Sequence, residues 1–90
     1  MSIKIHIPPA LSYLAENQTV TDVSGSTVGD CLSHLIDRYP ELESALFGED
    51  GELNNVLGVY VNLQSCIPEE LAKTVNDGDV IHIVETVIGG

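Results

Sequence analysis

Basic residues are nearly missing from this 90-residue chain: Lys and Arg number 3 against 14 Asp and Glu, a formal net charge of −11. Phosphate neutralisation needs Lys and Arg, so nucleic acid is excluded as a partner class. A basic protein surface is favoured instead, since opposite fields steer encounter; the plainer reading is that acidity only keeps a small domain in solution. No apolar run approaches the length that spans a bilayer, so no membrane partner is expected. Met1 leads straight into Ile3, Ile5 and Ile7 without a charged and apolar leader, and a cytoplasmic location is the expectation. Cysteine is scarce as well. Cys31 and Cys66 form neither a Cys-x-x-Cys pair nor a zinc spacing, and both are expected to remain thiols. No glycine-rich phosphate loop is present, so the chain has no nucleotide chemistry of its own to offer.

What is present is a single small core. Hydrophobic residues make up 43% of the chain, enough for a globular domain but not for a deep enzyme cleft. Ile3, Ile5 and Ile7 alternate with Lys4 and His6, the pattern of a half-buried strand that Pro8-Pro9 stops. Ala10 to Gln18 reads as a loop or partial helical turn anchored by Leu11 and Leu14, and Thr19 to Val23 as a second strand. After the Ser24-Gly25 break, Ser26 or Thr27 can cap a helix, with Asp30 completing a capping box. Val28, Cys31, Leu32, Leu35, Ile36 and Tyr39 give that helix one apolar face, and Pro40 ends it.

Leu57, Val59, Val61 and Leu63 alternate with Gly58, Tyr60 and Asn62, which predicts a strand over 57–63. Gln64 to Ile67 reads as a short return strand, Glu69 to Val75 as one helical turn, and Asn76-Asp77-Gly78-Asp79 as a tight turn. Val80 to Glu85 is the last strand. The order is β-β-α-β-(β)-β, a sheet of four to five strands with one main helix on one face, in the α+β class. The Ile-rich first and last strands are expected to pair at the sheet centre, with Val28, Leu32, Leu35 and Ile36 packed on Ile3, Ile5, Val59, Val61, Ile81 and Ile83.

The chain finishes on Glu85-Thr86-Val87-Ile88-Gly89-Gly90. Two glycines make a thin, unrestricted tip that can thread a slot where a side chain would clash. Gly90 is expected to carry a free α-carboxylate. A frayed terminus is the ordinary alternative. The division expected is a domain over 1–84 and a flexible tail over 85–90.

Other candidates are weaker. His6, His34 and His82 show no ligand spacing, so no metal site is expected. Cys31 and His34 share one helix with nothing to orient the imidazole as a base for the thiol. Cys66 has two readings, a persulfide acceptor or a packed edge position. Glu49, Asp50 and Glu52 form a solvated loop run.

Taken together, the strand and helix order, the Asp77-Gly78-Asp79 turn before the final strand and the terminal Gly89-Gly90 resemble the ubiquitin-like sulfur carriers of the MoaD/ThiS type, over nearly the whole chain. The group includes the molybdopterin synthase small subunit and the thiamine-pathway carrier. The resemblance implies a β-grasp fold. It also implies a carrier, not an enzyme, whose Gly90 carboxylate is adenylated by an E1-like partner using Mg-ATP, with no cofactor bound stably by the chain. A sulfur donor, either a sulfurtransferase or a sulfide source, then yields a thiocarboxylate for a biosynthetic acceptor enzyme. The free chain is expected to be a monomer. Gly89, Ile88 and Val87 would thread the partner's channel, and Tyr60, His82 and Val84 would supply a docking patch on the exposed sheet face. The alternative is a modifier joined through Gly90 to lysine.

Overall fold

The computed structural model describes residues 2–48, 51, 53, 57–65 and 70–85. Among them five strands form one sheet: β1 (Ile3–His6), β2 (Val20–Val23), β3 (Leu57–Val61), β4 (Gln64–Ser65) and β5 (Val80–Glu85), in the spatial order β2-β1-β5-β3-β4. β1 and β5 run parallel, with Ile5 beside Ile81 and His6 beside His82. The other pairs are antiparallel. The first and last strands therefore meet inside the sheet, as their Ile content predicts.

The main helix, α1 (Val28–Arg38), covers one face. Thr27 caps it, its Oγ1 accepting from the Asp30 amide at 3.1 Å. Asp30 reaches back to the amide of Ser26 at 3.2 Å, one residue before the cap, a variation on the reciprocal box. Lys73 supplies a further acceptor for the helix start, the Val28 amide donating to its carbonyl at 2.9 Å. At the other end Arg38 Nη1 donates to Thr21 Oγ1 at 2.8 Å and to the Asp22 carbonyl at 2.9 Å, tying the helix to β2 and satisfying the buried threonine. A short helix, α2 (Glu43–Leu46), follows the Pro40–Leu42 turn and buries Leu42 and Leu46.

The core holds Ile3, Ile5, Val59, Val61, Ile81 and Ile83 from the sheet and Val28, Leu32 and Leu35 from α1, all buried. Ile36 is only partly buried. The helix face is narrower than its apolar spacing implies: positions 28, 31, 32 and 35 point at the sheet, while Ile36 sits on the shoulder and lines an outer groove with Asp37, Glu43 and Phe47. Cys31 is fully buried, as a small core residue should be. Burial, helped by the neighbouring Asp30 carboxylate, pushes its thiol up to about 11. Gly25 is needed beside it, since a Cβ there would lie 2.9 Å from the Cys31 backbone nitrogen.

One strand boundary differs from the periodic reading. β3 stops at Val61, and Leu63 is 78% exposed instead of continuing the apolar row. Asn62 and Leu63 both have positive φ, 52° and 69°, and form a two-residue hairpin that returns the chain along β4. Alternation alone cannot register the point where the backbone reverses. The return strand is described for Gln64–Ser65, and its predicted remainder, with Cys66, lies outside the described residues.

The turn over 76–79 clamps the two central strands at their starts. The Asp79 amide donates to the Asn76 carbonyl at 2.9 Å, and Gly78 takes φ +91°, where a side chain would strain. The Ser2 amide donates to Asp77 Oδ1 at 2.6 Å, and the Gly78 amide to the Ser2 carbonyl at 3.1 Å. Asp79 is held below the usual carboxylate range by the Asn62 side-chain amide, and further by the Asn76 amide and the charge of Lys73.

Three outcomes follow from this packing. Leu35→Ala should lower unfolding free energy by about 2–4 kcal/mol in a denaturant titration. In a Cys66→Ser background, Cys31 should resist an aromatic disulfide reagent at pH 8 until the protein is denatured; prompt reaction of the folded protein would contradict its burial. Because the folded pKa of Asp79 lies below its unfolded value, its contribution is present above the ordinary carboxylate range and lost as pH falls. The stability gap between wild type and Asp79→Asn should be full above about pH 5 and close below about pH 4 in pH-dependent melting.

Candidate functional site

Alternation in the strands sends every second side chain to the face that α1 does not cover. In β1 these are Lys4 and His6, in β5 Val80, His82 and Val84, and in β3 Gly58 and Tyr60. Register then decides who meets whom. His82 lies opposite Tyr60 on one side and beside His6 on the other, and His6 in turn faces Val20 of β2. A band Val20–His6–His82–Tyr60 thus crosses four strands. Val84 stands on the same side as His82, opposite Gly58, whose missing side chain leaves that flank open.

Of the expected docking residues, Tyr60, His82 and Val84 are brought onto one face. Tyr60 and His82 are half-buried, and Val84 is exposed. His6 belongs with them, although the sequence raises it only as a metal-ligand candidate. Its ring stacks on that of His82, with centroids 4.5 Å apart and planes 25° from parallel. The signal was available: His6 alternates with Ile5 and Ile7, and β1 was expected to neighbour β5. Only the parallel register, which sets residue 6 level with residue 82, makes the stack.

His6 and His82 also form one wall of a groove of about 450 Å³, whose other sides are Pro8, Pro9, Thr19 and Val84. The groove ends at Glu85, the last residue of β5, paired with Leu57. Glu85, placed above both at the end of the strand and at the head of the tail, is part of the strand. Val87, Ile88, Gly89 and Gly90 lie outside the described residues. β5 is the central strand of the sheet, and its Glu85 end lies at the edge of this band.

The third histidine is structural. His34 Nδ1 accepts from the Ser24 amide at 2.8 Å and fixes the break before α1. Among the described residues no cluster of three or more His, Cys, Asp or Glu is arranged to hold a metal ion, and no helix is long and apolar enough to cross a membrane. Lys4 is engaged with Asp22 at 3.0 Å on the open face, an exposed pair that contributes little to stability. The band itself is aromatic and apolar with hydrogen-bonding edges. Such a surface suits a protein partner, because rings deliver contact area and polar tips fix orientation.

Known proteins share this architecture. The model of the ThiS family matches residues 6–90. Small archaeal modifier protein 1 of Haloferax volcanii is 38% identical over 82 residues, covering 89% of this chain and 91% of its own. Its crystal structure superposes with a TM-score of 0.85 over 100% of both chains, at 30% identity. Sulfur carrier protein CysO of Mycobacterium bovis is 29% identical over 93 residues, covering 100% of each. The crystal structure of an Amycolatopsis orientalis BexX/CysO complex contains a chain that matches with a TM-score of 0.87 and 26% identity, over 98% of this chain and 99% of that one. With a β-grasp sheet, a central final strand and a match that runs to residue 90, this chain belongs to the ThiS family, among the ubiquitin-like sulfur carriers and modifiers.

Proposed function

We propose that the protein is a cytoplasmic sulfur carrier, a substrate of other enzymes and not a catalyst, whose reactive group is the Gly90 carboxylate. The observation that supports this most is that β5, the last described strand, is central in the sheet and ends at Glu85 beside a face with the aromatic surface of a protein contact. The kinship with a sulfur carrier protein supports it too.

The chemistry dictates the division of labour. A carboxylate resists attack because oxide would have to leave. In the proposed first step a Gly90 oxygen attacks the α-phosphorus of ATP in an E1-like partner and pyrophosphate departs. The resulting acyl adenylate has AMP as a leaving group. A hydrosulfide-level nucleophile from the sulfur donor adds to the carbonyl carbon, AMP leaves, and a thiocarboxylate remains for the acceptor enzyme. Mg-ATP and the cationic phosphate site belong to the partner, since this chain has 3 basic residues in all. Its own contribution is binding. His6, Tyr60, His82 and Val84 dock the domain, so contacts remote from the reaction offset the entropy of placing a flexible reactive end. Val87 and Ile88 then line the threading segment, and Gly89 passes the narrowest point.

A second reading rests on the 38% identical relative, whose name is that of a modifier. In it the activated Gly90 is captured by a lysine amine, giving an isopeptide bond and releasing the same leaving group. Intact mass of the native protein separates the two: one oxygen exchanged for sulfur marks the carrier, a ladder of conjugates the modifier.

ATP–pyrophosphate exchange with a cognate E1-like enzyme tests the reading. Deleting Gly90 should abolish exchange, and Gly89→Ala should slow it by crowding the channel, both with an unchanged melting temperature. Normal exchange by the Gly90 deletion would refute the proposal.

A further inference from the structure

The β3–β4 hairpin turns on two residues in the left-handed region, Asn62 at φ 52° and Leu63 at φ 69°. That is the signature of the primed turn that matches strand twist, and Asn followed by Gly suits it best. Asn62 fits. Leu63 does not: a bulky side chain at positive φ is an outlier. Its exposure of 78% shows that burial within the chain does not compensate. A single exposed leucine needs no explanation; an exposed leucine kept where the backbone prefers glycine does.

The turn is also rigidly held. The Asn62 amide donates to the Val80 carbonyl at 2.8 Å, its Oδ1 accepts from the Val80 amide at 3.0 Å, and its Nδ2 donates to Asp79 Oδ1 at 3.0 Å. Leu63 is therefore presented on a fixed tip, already ordered before any partner arrives. The carboxylates of Asp77 and Asp79 lie in the neighbouring turn, next to the start of β5. Anionic lipid and nucleic acid are repelled there. The complementary surface is an apolar pocket in a protein, with Lys or Arg on its rim.

Position narrows the partner further. The tip adjoins Val80, at the opposite end of β5 from Glu85, and the hairpin that carries it also carries Tyr60. At about 3.3 Å per residue, the tip and the tail exit are about 17 Å apart along the strand. A protein seated on the band between them spans both.

We infer that Leu63 is a preformed docking knob that inserts into an apolar, basic-rimmed pocket of the adenylating partner while that partner holds the tail. The inference rests on the carrier reading. It predicts an opposition between stability and binding that a loop residue without a partner would not show. In the ATP–pyrophosphate exchange assay with the E1-like enzyme, Leu63→Gly should raise the KM for the carrier by about tenfold or more, in line with loss of a buried apolar anchor. Its kcat should be unchanged and its melting temperature equal to or above that of wild type. Leu63→Met, which keeps an apolar side chain on the same strained turn, should retain a KM near wild type. An unaltered KM for Leu63→Gly, with wild type active, overturns the inference and leaves the carrier reading standing. A lower melting temperature for Leu63→Gly also overturns it, by assigning the leucine to the fold. Absence of exchange by wild type overturns both.

Discussion

Ile5 and Ile81 lie side by side in a parallel register, both fully buried beneath Leu32 and Leu35 of α1. Parallel neighbours cannot be joined by a tight turn, so nearly the whole chain between them serves as one long crossover. Closing so long a loop costs entropy, and the return comes from burying the isoleucines of both strands against one helix face. Everything else is placed relative to that pair. β2 adds to the free side of β1, β3 to the free side of β5, and β4 to β3.

Because side chains alternate, the register of the central pair also chooses which face each residue takes. A slip of one residue would turn His82 into the core and Ile81 to the outside. Two devices hold the register at the strand starts. The Asp77-Gly78-Asp79 turn binds the backbone of Ser2 on one side, and Asn62 binds Val80 and Asp79 on the other. Both fasten the same end of β5, the one opposite Glu85. The acidic turn is thus a clamp, and its carboxylates are engaged with amides as well as solvent.

The two faces of the sheet differ in character. The face opposite the helix carries the rings of His6, His82 and Tyr60 with Val84, while the one described thiol, Cys31, is buried on the inner side of α1, where burial raises its pKa.

How much of this was legible in the residues can be judged from particular elements. The alternation of Ile3, Ile5 and Ile7, the three- and four-residue spacing in α1 and the turn chemistry at 76–79 determined the elements, the fold class and the central pairing, because period and turn preference are local properties of the chain. The reading of Gly89-Gly90 as a thin tip rests on the residues alone, since the absence of Cβ atoms is a local property, and these residues lie outside the described ones. The end of β3 at Val61 was not legible, since Leu63 continues the alternation in composition while its backbone reverses. Nor was the shoulder position of Ile36, which depends on how wide a stripe the sheet can cover. The His6–His82 stack and the band across four strands were decided only in the tertiary structure. Residues 6, 20, 60 and 82 are strangers in sequence, and only the hydrogen-bonded registers of four strands set them in one row.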